Sequence, residues 1–227
     1  KDPSFLSYNN PLHFLGFDIL LTHDDYSDII SFNMTDTVEE FLRVNSAKPV
    51  YNITNPMSTN YIDPNSERLS NEDKVKYQSI VGTLNYFATQ LRYDISYATN
   101  RLSQHSSDPK QSSWRAMQRV LSFMLSTTDF AITGRMLEGV DSIHSYSDSD
   151  LAGHNSHSSL SQTGTMIFLN NVPISWRSKR QCKTSKSIAQ AEIYALSHTL
   201  SDARDLYWRL KGLNIHIDKP LIVLFSP

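Results

Sequence analysis

One cysteine, seven glycines and no surplus of either charge sign set the first limits on this 227-residue chain. With Cys182 alone, no disulfide closes within the chain and no cysteine-based zinc site can be built. Such sparing use of cysteine fits a reducing, intracellular compartment. Long apolar runs are missing too. Phe14-Leu15-Gly16-Phe17 is cut short by Asp18, and the segment 221–225 is only strand-sized. Neither approaches the roughly 20 residues a membrane helix needs, so no membrane partner is expected. Lys1-Asp2-Pro3-Ser4 lacks the basic-then-apolar order of a signal peptide. An initiator Met is also lacking, as in a segment that starts inside a longer chain. The net charge of −2 argues against a free-standing basic nucleic-acid binder, while leaving room for a local basic face. What is present, 39% apolar and 19% charged residues, is the composition of a globular chain of one or two domains.

Along the chain, residues 12–32 read as a hairpin whose polar tip is His23-Asp24-Asp25-Tyr26-Ser27-Asp28. Its acids read as turn formers rather than as metal ligands. Residues 35–46 read as a short helix capped by Thr35 or Asp36. Residues 47–73, rich in Asn, Pro, Ser and Asp, read as an extended linker. Helical periodicity then runs over 74–91, where Val75, Ile80, Val81, Leu84, Phe87 and Leu91 supply the apolar face. It continues over 94–103 and again over 110–126, after Asp108-Pro109. Gly134 and Gly139 punctuate a turn-rich stretch that reads as a domain boundary.

Beyond residue 143 the period changes. Strands are expected at 144–148, 163–169 and 173–178, then a long helix at 187–213 and a last strand at 221–225. Ile188, Ala191, Ala195, Leu200, Ala203 and Leu210 belong to the expected buried face of that helix. Asp148 closes the first strand, Asp150 follows two residues on, and Glu192 falls in the first turns of the helix. A β-β-β-α order can bring such carboxylates to one edge, where hard divalent cations find the oxygen ligands they require. Acids at a strand end and near a helix start are equally what the positive helix N-terminus favours, so spacing alone leaves both readings open.

The local strings point further. Tyr146-Ser147-Asp148-Ser149-Asp150-Leu151-Ala152-Gly153 resembles the Y-x-D-x-D-W-A-G string of copia-type ribonuclease H domains, with Leu151 in place of Trp. Gln162–Leu169 is similar to their second-strand string T-S-G-Y-x-x-x-L. Val172-Pro173-Ile174-Ser175-Trp176-Arg177-Ser178-Lys179-Arg180-Gln181 resembles P-I-S-W-x-S-K-x-Q, and Ala189–Leu196 resembles A-E-A-E-Y-x-A-L. Upstream, Tyr77–Tyr86 looks like Y-R-S-L-V-G-S-L-x-Y, Arg92–Ala98 like R-P-D-I-x-Y-A, and Phe14–Ile19 like the F-L-G-x-x-I strand that follows the polymerase palm. The order and gaps match as well, so the chain resembles the Pol polyprotein of copia-type, yeast Ty-like LTR retrotransposons over nearly its whole length.

The resemblance implies an α+β or α/β fold: a helical thumb- or connection-like region, then a C-terminally truncated ribonuclease H-like β-β-β-α-β domain. The implied divisions are the end of a reverse transcriptase (1–46), a linker (47–73), a helical connection (74–135) and the ribonuclease H-like domain (143–227). The implied activity is cleavage of RNA in an RNA–DNA hybrid, with two magnesium ions. Asp148 and Glu192 fall on metal-binding, catalytic carboxylates, and Asp150 on a recurring family acid with a supporting role. Arg177, Lys179, Arg180, Lys183 and Lys186 form a basic run beside that site, read either as a nucleic-acid contact or as a solvated loop. Trp176 reads as core. His154 and His157 read as exposed loop histidines. The implied partners are nucleic acid and the rest of the Pol polyprotein, in the cytoplasm, within virus-like particles, or in the nucleus. Two departures stand out. The polymerase Y-x-D-D motif is absent, and the third metal-binding Asp is replaced by Ser226 or Pro227. Little or no hydrolysis by this stretch alone is therefore expected. A non-catalytic nucleic-acid-binding module, or a domesticated interaction protein, is the competing expectation.

Overall fold

The computed structural model describes residues 6–50, 53–58, 63, 65–136, 140, 142–151, 160–217, 219 and 221–225. Ala152-Gly153 of the first motif, Gly139, His154, His157, Ser226 and Pro227 lie outside the described residues. The fold is mixed α+β. Strands β1 (Leu12–Phe14), β2 (Phe17–His23) and β3 (Asp28–Asn33) precede helices α1 (Thr35–Val44), α2 (Asn71–Gln90), α3 (Ser96–Ser103) and α4 (Gln111–Leu125). Strands β4 (Ala131–Arg135), β5 (Ile143–Asp150), β6 (Gln162–Leu169) and β7 (Val172–Arg180) follow, then helix α5 (Ile188–Gly212) and strand β8 (Ile222–Phe225). Two four-stranded sheets result, ordered β1-β2-β3-β4 and β7-β6-β5-β8. None of the described helices is long and apolar enough to cross a membrane. The chain forms two compact units: residues 1–20 with 31–131, and residues 21–30 with 132–227.

In the first unit, the expected single strand through Phe14-Leu15-Gly16-Phe17 is instead a tight turn between β1 and β2. Leu15 and Gly16 take φ of 52° and 84°, the paired positive values of a two-residue hairpin turn that only glycine adopts without strain. Ser70 caps α2 by accepting the Asp73 N–H at 3.1 Å. The stripe Tyr77, Ile80, Val81, Leu84, Phe87 and Ala88 is buried. Val75, expected on that face, is exposed, because it sits in the first turns, ahead of the packed stretch. Tyr77 donates its hydroxyl to Leu102 O at 2.9 Å and so ties α2 to α3.

The linker is not loose along its described length. Ser122 Oγ donates to Lys48 O at 2.6 Å, Gln111 N–H to Glu67 O at 2.8 Å, and Ser112 N–H to Ser66 Oγ at 2.9 Å, fastening it along α4.

Arg92 is the largest fully buried side chain of the unit, at 1% exposure. A buried guanidinium is tolerated only when its donors are satisfied. Here Asp94 accepts at 2.8 and 2.9 Å, Thr127 O at 3.0 Å and Thr127 Oγ1 at 2.6 Å, while Phe130 offers its ring face at 4.9 Å. The Arg-x-Asp string is thus a structural clamp between the α2–α3 corner and the end of α4.

In the second unit, the hairpin tip is built as a turn. Asp24 Oδ1 accepts the Tyr26 and Ser27 N–H groups, both at 2.9 Å. These bonds, aided by Arg135, hold the Asp24 carboxyl below the ordinary carboxylate range. The stretch expected to be turn-rich around Gly134 contains strand β4. Glycine is required there by close approach, since a methyl group would lie 2.5 Å from Val172 Cγ2. Removing one partner of a buried ion pair leaves an uncompensated charge. Asp94→Ala is therefore expected to destabilise the helical unit by roughly 3 kcal/mol in urea unfolding followed by circular dichroism, whereas Arg43→Ala, which breaks the exposed Arg43–Glu40 pair of α1, should cost less than about 1 kcal/mol.

Candidate functional site

β5 alternates strictly. Ile143, Ser145, Ser147 and Ser149 are buried, and Tyr146, Asp148 and Asp150 are exposed. Antiparallel pairing sets Ser145 opposite Ile167, Ser147 opposite Thr165 and Ser149 opposite Thr163, so the inward face is apolar at one end and hydroxyl-rich at the other. Helix α5 covers this face with Ala191, Ala195, Thr199 and Ala203, all at 0% exposure. Small residues on both sides let helix and strand approach closely. The bulkier Ile188 and Leu200, expected in the buried face, are displaced from this seam and are exposed. Around the far end of α5, Val140, Ile143, Ile167, Ala203 and Leu210 form an apolar cluster.

At the hydroxyl-rich end stands Glu192. Its Oε1 accepts the Ser149 N–H at 3.1 Å and the Ser149 Oγ–H at 2.8 Å. Its Oε2 is buried and has no hydrogen-bond partner among the described residues, and the same holds for Ser147 Oγ. A carboxylate oxygen in that position is disfavoured without a partner.

Glu192 therefore sits beside β5, bonded to Ser149, which lies one residue from Asp148 and one from Asp150 along the chain. The pleat points the two aspartates to the opposite, exposed side from Ser149. The structure joins Glu192 to Ser149; it does not bring Asp148, Asp150 and Glu192 onto one face. No group of three or more His, Cys, Asp or Glu side chains suited to one metal ion occurs among the described residues. The fit to magnesium is thus partial: Glu192 Oε2 is a carboxylate oxygen with no hydrogen-bond partner among the described residues, and the remaining acids do not converge on it. The last described pair of β8 with β5 is Phe225 beside Ser147, one residue short of Asp148.

Gln181 holds this end together. It is 8% exposed, and its Nε2 donates to Thr163 Oγ1 and Ala191 O, each at 3.0 Å. Its Oε1 accepts from Ser185 Oγ at 3.0 Å, and its N–H reaches Ser161 O at 2.7 Å. The amide fastens β6, the β7–α5 loop and the first turn of α5. Ser187 caps the helix by accepting the Gln190 N–H at 3.2 Å, and Gln190 Oε1 accepts the Lys186 N–H at 2.7 Å.

The basic run divides. Arg177 is engaged with Asp202 of α5 at 3.1 Å. Lys179, Arg180, Lys183 and Lys186 are exposed around the β7–α5 connection. Trp176 is half-buried in β7, opposite Met166. Sequence reading missed Ser147, Ser149 and the role of Gln181. The period-two serines and the alanines spaced four apart were the signal of a close polar seam.

No known family profile matches the chain. It is 34% identical over 192 residues to the retrovirus-related Pol polyprotein from transposon RE2 of Arabidopsis thaliana, covering 82% of this chain and 13% of that protein. The corresponding protein from transposon RE1 of the same plant is 35% identical over 154 residues, 66% of this chain and 10% of its own length. The chain belongs to the Pol polyproteins of copia-type retrotransposons. It spans only that small share of these Pol polyproteins. A shorter relative, secreted RxLR effector protein 161 of Plasmopara viticola, is 36% identical over 129 residues, which cover 57% of this chain and 89% of that protein. Within the Pol segment described here, Gln181→Leu is expected to strand the Thr163 and Ser185 hydroxyls and lower stability by roughly 2 kcal/mol in urea unfolding. A cost below about 0.5 kcal/mol would contradict the anchoring role.

Proposed function

We propose that residues 143–225 contribute two metal-binding carboxylates, Asp148 and Glu192, to a ribonuclease H that cleaves RNA in RNA–DNA hybrids during element replication. The observation that carries this reading is the buried, unpartnered Oε2 of Glu192 beside the strand bearing Asp148. The four ordered motif matches and the Pol relatives support it. Magnesium, when bound, would activate water and neutralise the leaving oxygen. In this reading Glu192 Oε2 is a ligand oxygen, Asp148 a second ligand and Asp150 a supporting acid. Ser149 fixes the Glu192 carboxylate so that one oxygen remains for the cation.

Two carboxylates, one on the exposed face of β5 and one on the helix that covers its other face, hold a pair of close cations poorly, since it is the ligands' combined negative charge that offsets cation–cation repulsion. We therefore propose that these 227 residues alone hydrolyse a hybrid little or not at all. A second reading rests on the exposed Lys179, Arg180, Lys183 and Lys186: a non-catalytic grip on a nucleic-acid backbone.

The test is cleavage of a labelled RNA–DNA hybrid with magnesium and then manganese, by the wild-type chain and by an Asp148→Asn, Glu192→Gln variant. Background-level cutting by both is expected. Cutting that the variant loses would overturn the inactivity and tie the cleavage to this pair of carboxylates. Salt-sensitive hybrid binding that survives in the variant and drops with Lys183→Gln, Lys186→Gln would favour the second reading.

A further inference from the structure

Away from the carboxylates, the helical unit holds a cleft of about 520 Å³ between α4 and residues 45–50 and 53. Lys48, Arg115, Gln118 and Arg119 line it together with Val50 and Leu121, and no carboxylate does among the described residues. We propose that this cleft binds a phosphate group.

Arg115 and Arg119 lie one helical turn apart, so their side chains share a face of α4. Neither has a carboxylate partner among the described residues. Arg119 Nη2 is held by Asn55 Oδ1 at 2.9 Å, which fixes the guanidinium. Its Nε–H is buried and has no acceptor among the described residues. A fixed guanidinium, a second guanidinium one turn away and a lysine opposite are a donor set that matches the tetrahedral oxygens of a phosphate. The wall facing α4 is itself fastened, because Ser122 Oγ donates to Lys48 O at 2.6 Å and so holds the lysine backbone against the helix. Val50 and Leu121 exclude part of the solvent, which strengthens charge-assisted bonds there.

The same chemistry serves a free phosphate or a phosphodiester of a polynucleotide backbone, and the two are separated by experiment. This site stands on α4 and does not rest on the ribonuclease reading. Binding is measured with the whole chain, the Arg115→Gln, Arg119→Gln variant and the Arg115→Lys single variant. The probes are inorganic phosphate, followed by calorimetry, and a labelled RNA–DNA hybrid, followed by anisotropy across a salt series. The proposal expects the double variant to lose phosphate binding, or to bind the hybrid about tenfold more weakly with a salt slope smaller by roughly two. Arg115→Lys should keep most of the charge-driven affinity. Loss toward both probes, or toward the hybrid alone, assigns the cleft to a polynucleotide backbone. Loss toward phosphate alone assigns it to a small phosphate ligand. Should the double variant unfold, Arg115→Gln, which alters an exposed side chain, is read in its place. Unchanged affinity for both probes in a folded variant overturns the proposal.

Discussion

The closeness of one helix to one strand governs the second unit. Ala191, Ala195, Thr199 and Ala203 of α5 lie over a face of β5 that is Ser145, Ser147 and Ser149. With small side chains on both surfaces, the Glu192 carboxylate reaches the backbone of the strand and bonds to Ser149. A larger residue at any of these positions would open the seam and withdraw Glu192 from β5. The seam is also graded. Its apolar end, around Ile143, Ile167 and Leu210, supplies hydrophobic stabilisation, while its hydroxyl-rich end supplies fixed polar groups and tolerates a carboxylate. Apolar packing and fixed polar groups are thus assigned to opposite ends of one interface.

Both units rely on buried polar groups that bond several elements at once. Arg92 does this in the helical unit, through Asp94 and Thr127, and Gln181 does it beneath the β7–α5 connection. Each belongs to a string by which the chain resembles copia-type Pol polyproteins, and each is structural. Such residues are hard to replace because their partners are buried and would be left unsatisfied. The same logic separates Arg177 from the rest of its basic run, because its charge is already engaged by Asp202.

Much of the element order was legible in the sequence, because helical and strand periods are set by burial. The long helix, the three-strand meander before it and the apolar stripe of α2 follow directly from spacing. Turns between apolar residues were less legible: Leu15-Gly16 reverses the chain inside an apolar run that reads as one strand. β4 was hidden because Gly134, read as a turn residue, is there to admit Val172. On α5, apolar character placed Ile188 and Leu200 in the core, while the close seam took only the small residues. Asp148 and Glu192 could be named from their strings, yet the pleat that turns Asp148 away from Ser149 and the grip of Ser149 on Glu192 appear only in three dimensions.

The central claim is that Glu192 Oε2 is a cation ligand held ready by Ser149. Manganese binding, followed by the loss of the free-ion electron paramagnetic resonance signal, tests it most directly in the wild type, Ser149→Ala and Glu192→Gln. The account predicts weak binding by the wild type, at least tenfold weaker binding by Ser149→Ala, and none at this site in Glu192→Gln. Equal manganese binding by all three chains would contradict it and would leave Glu192 as a structural partner of Ser149.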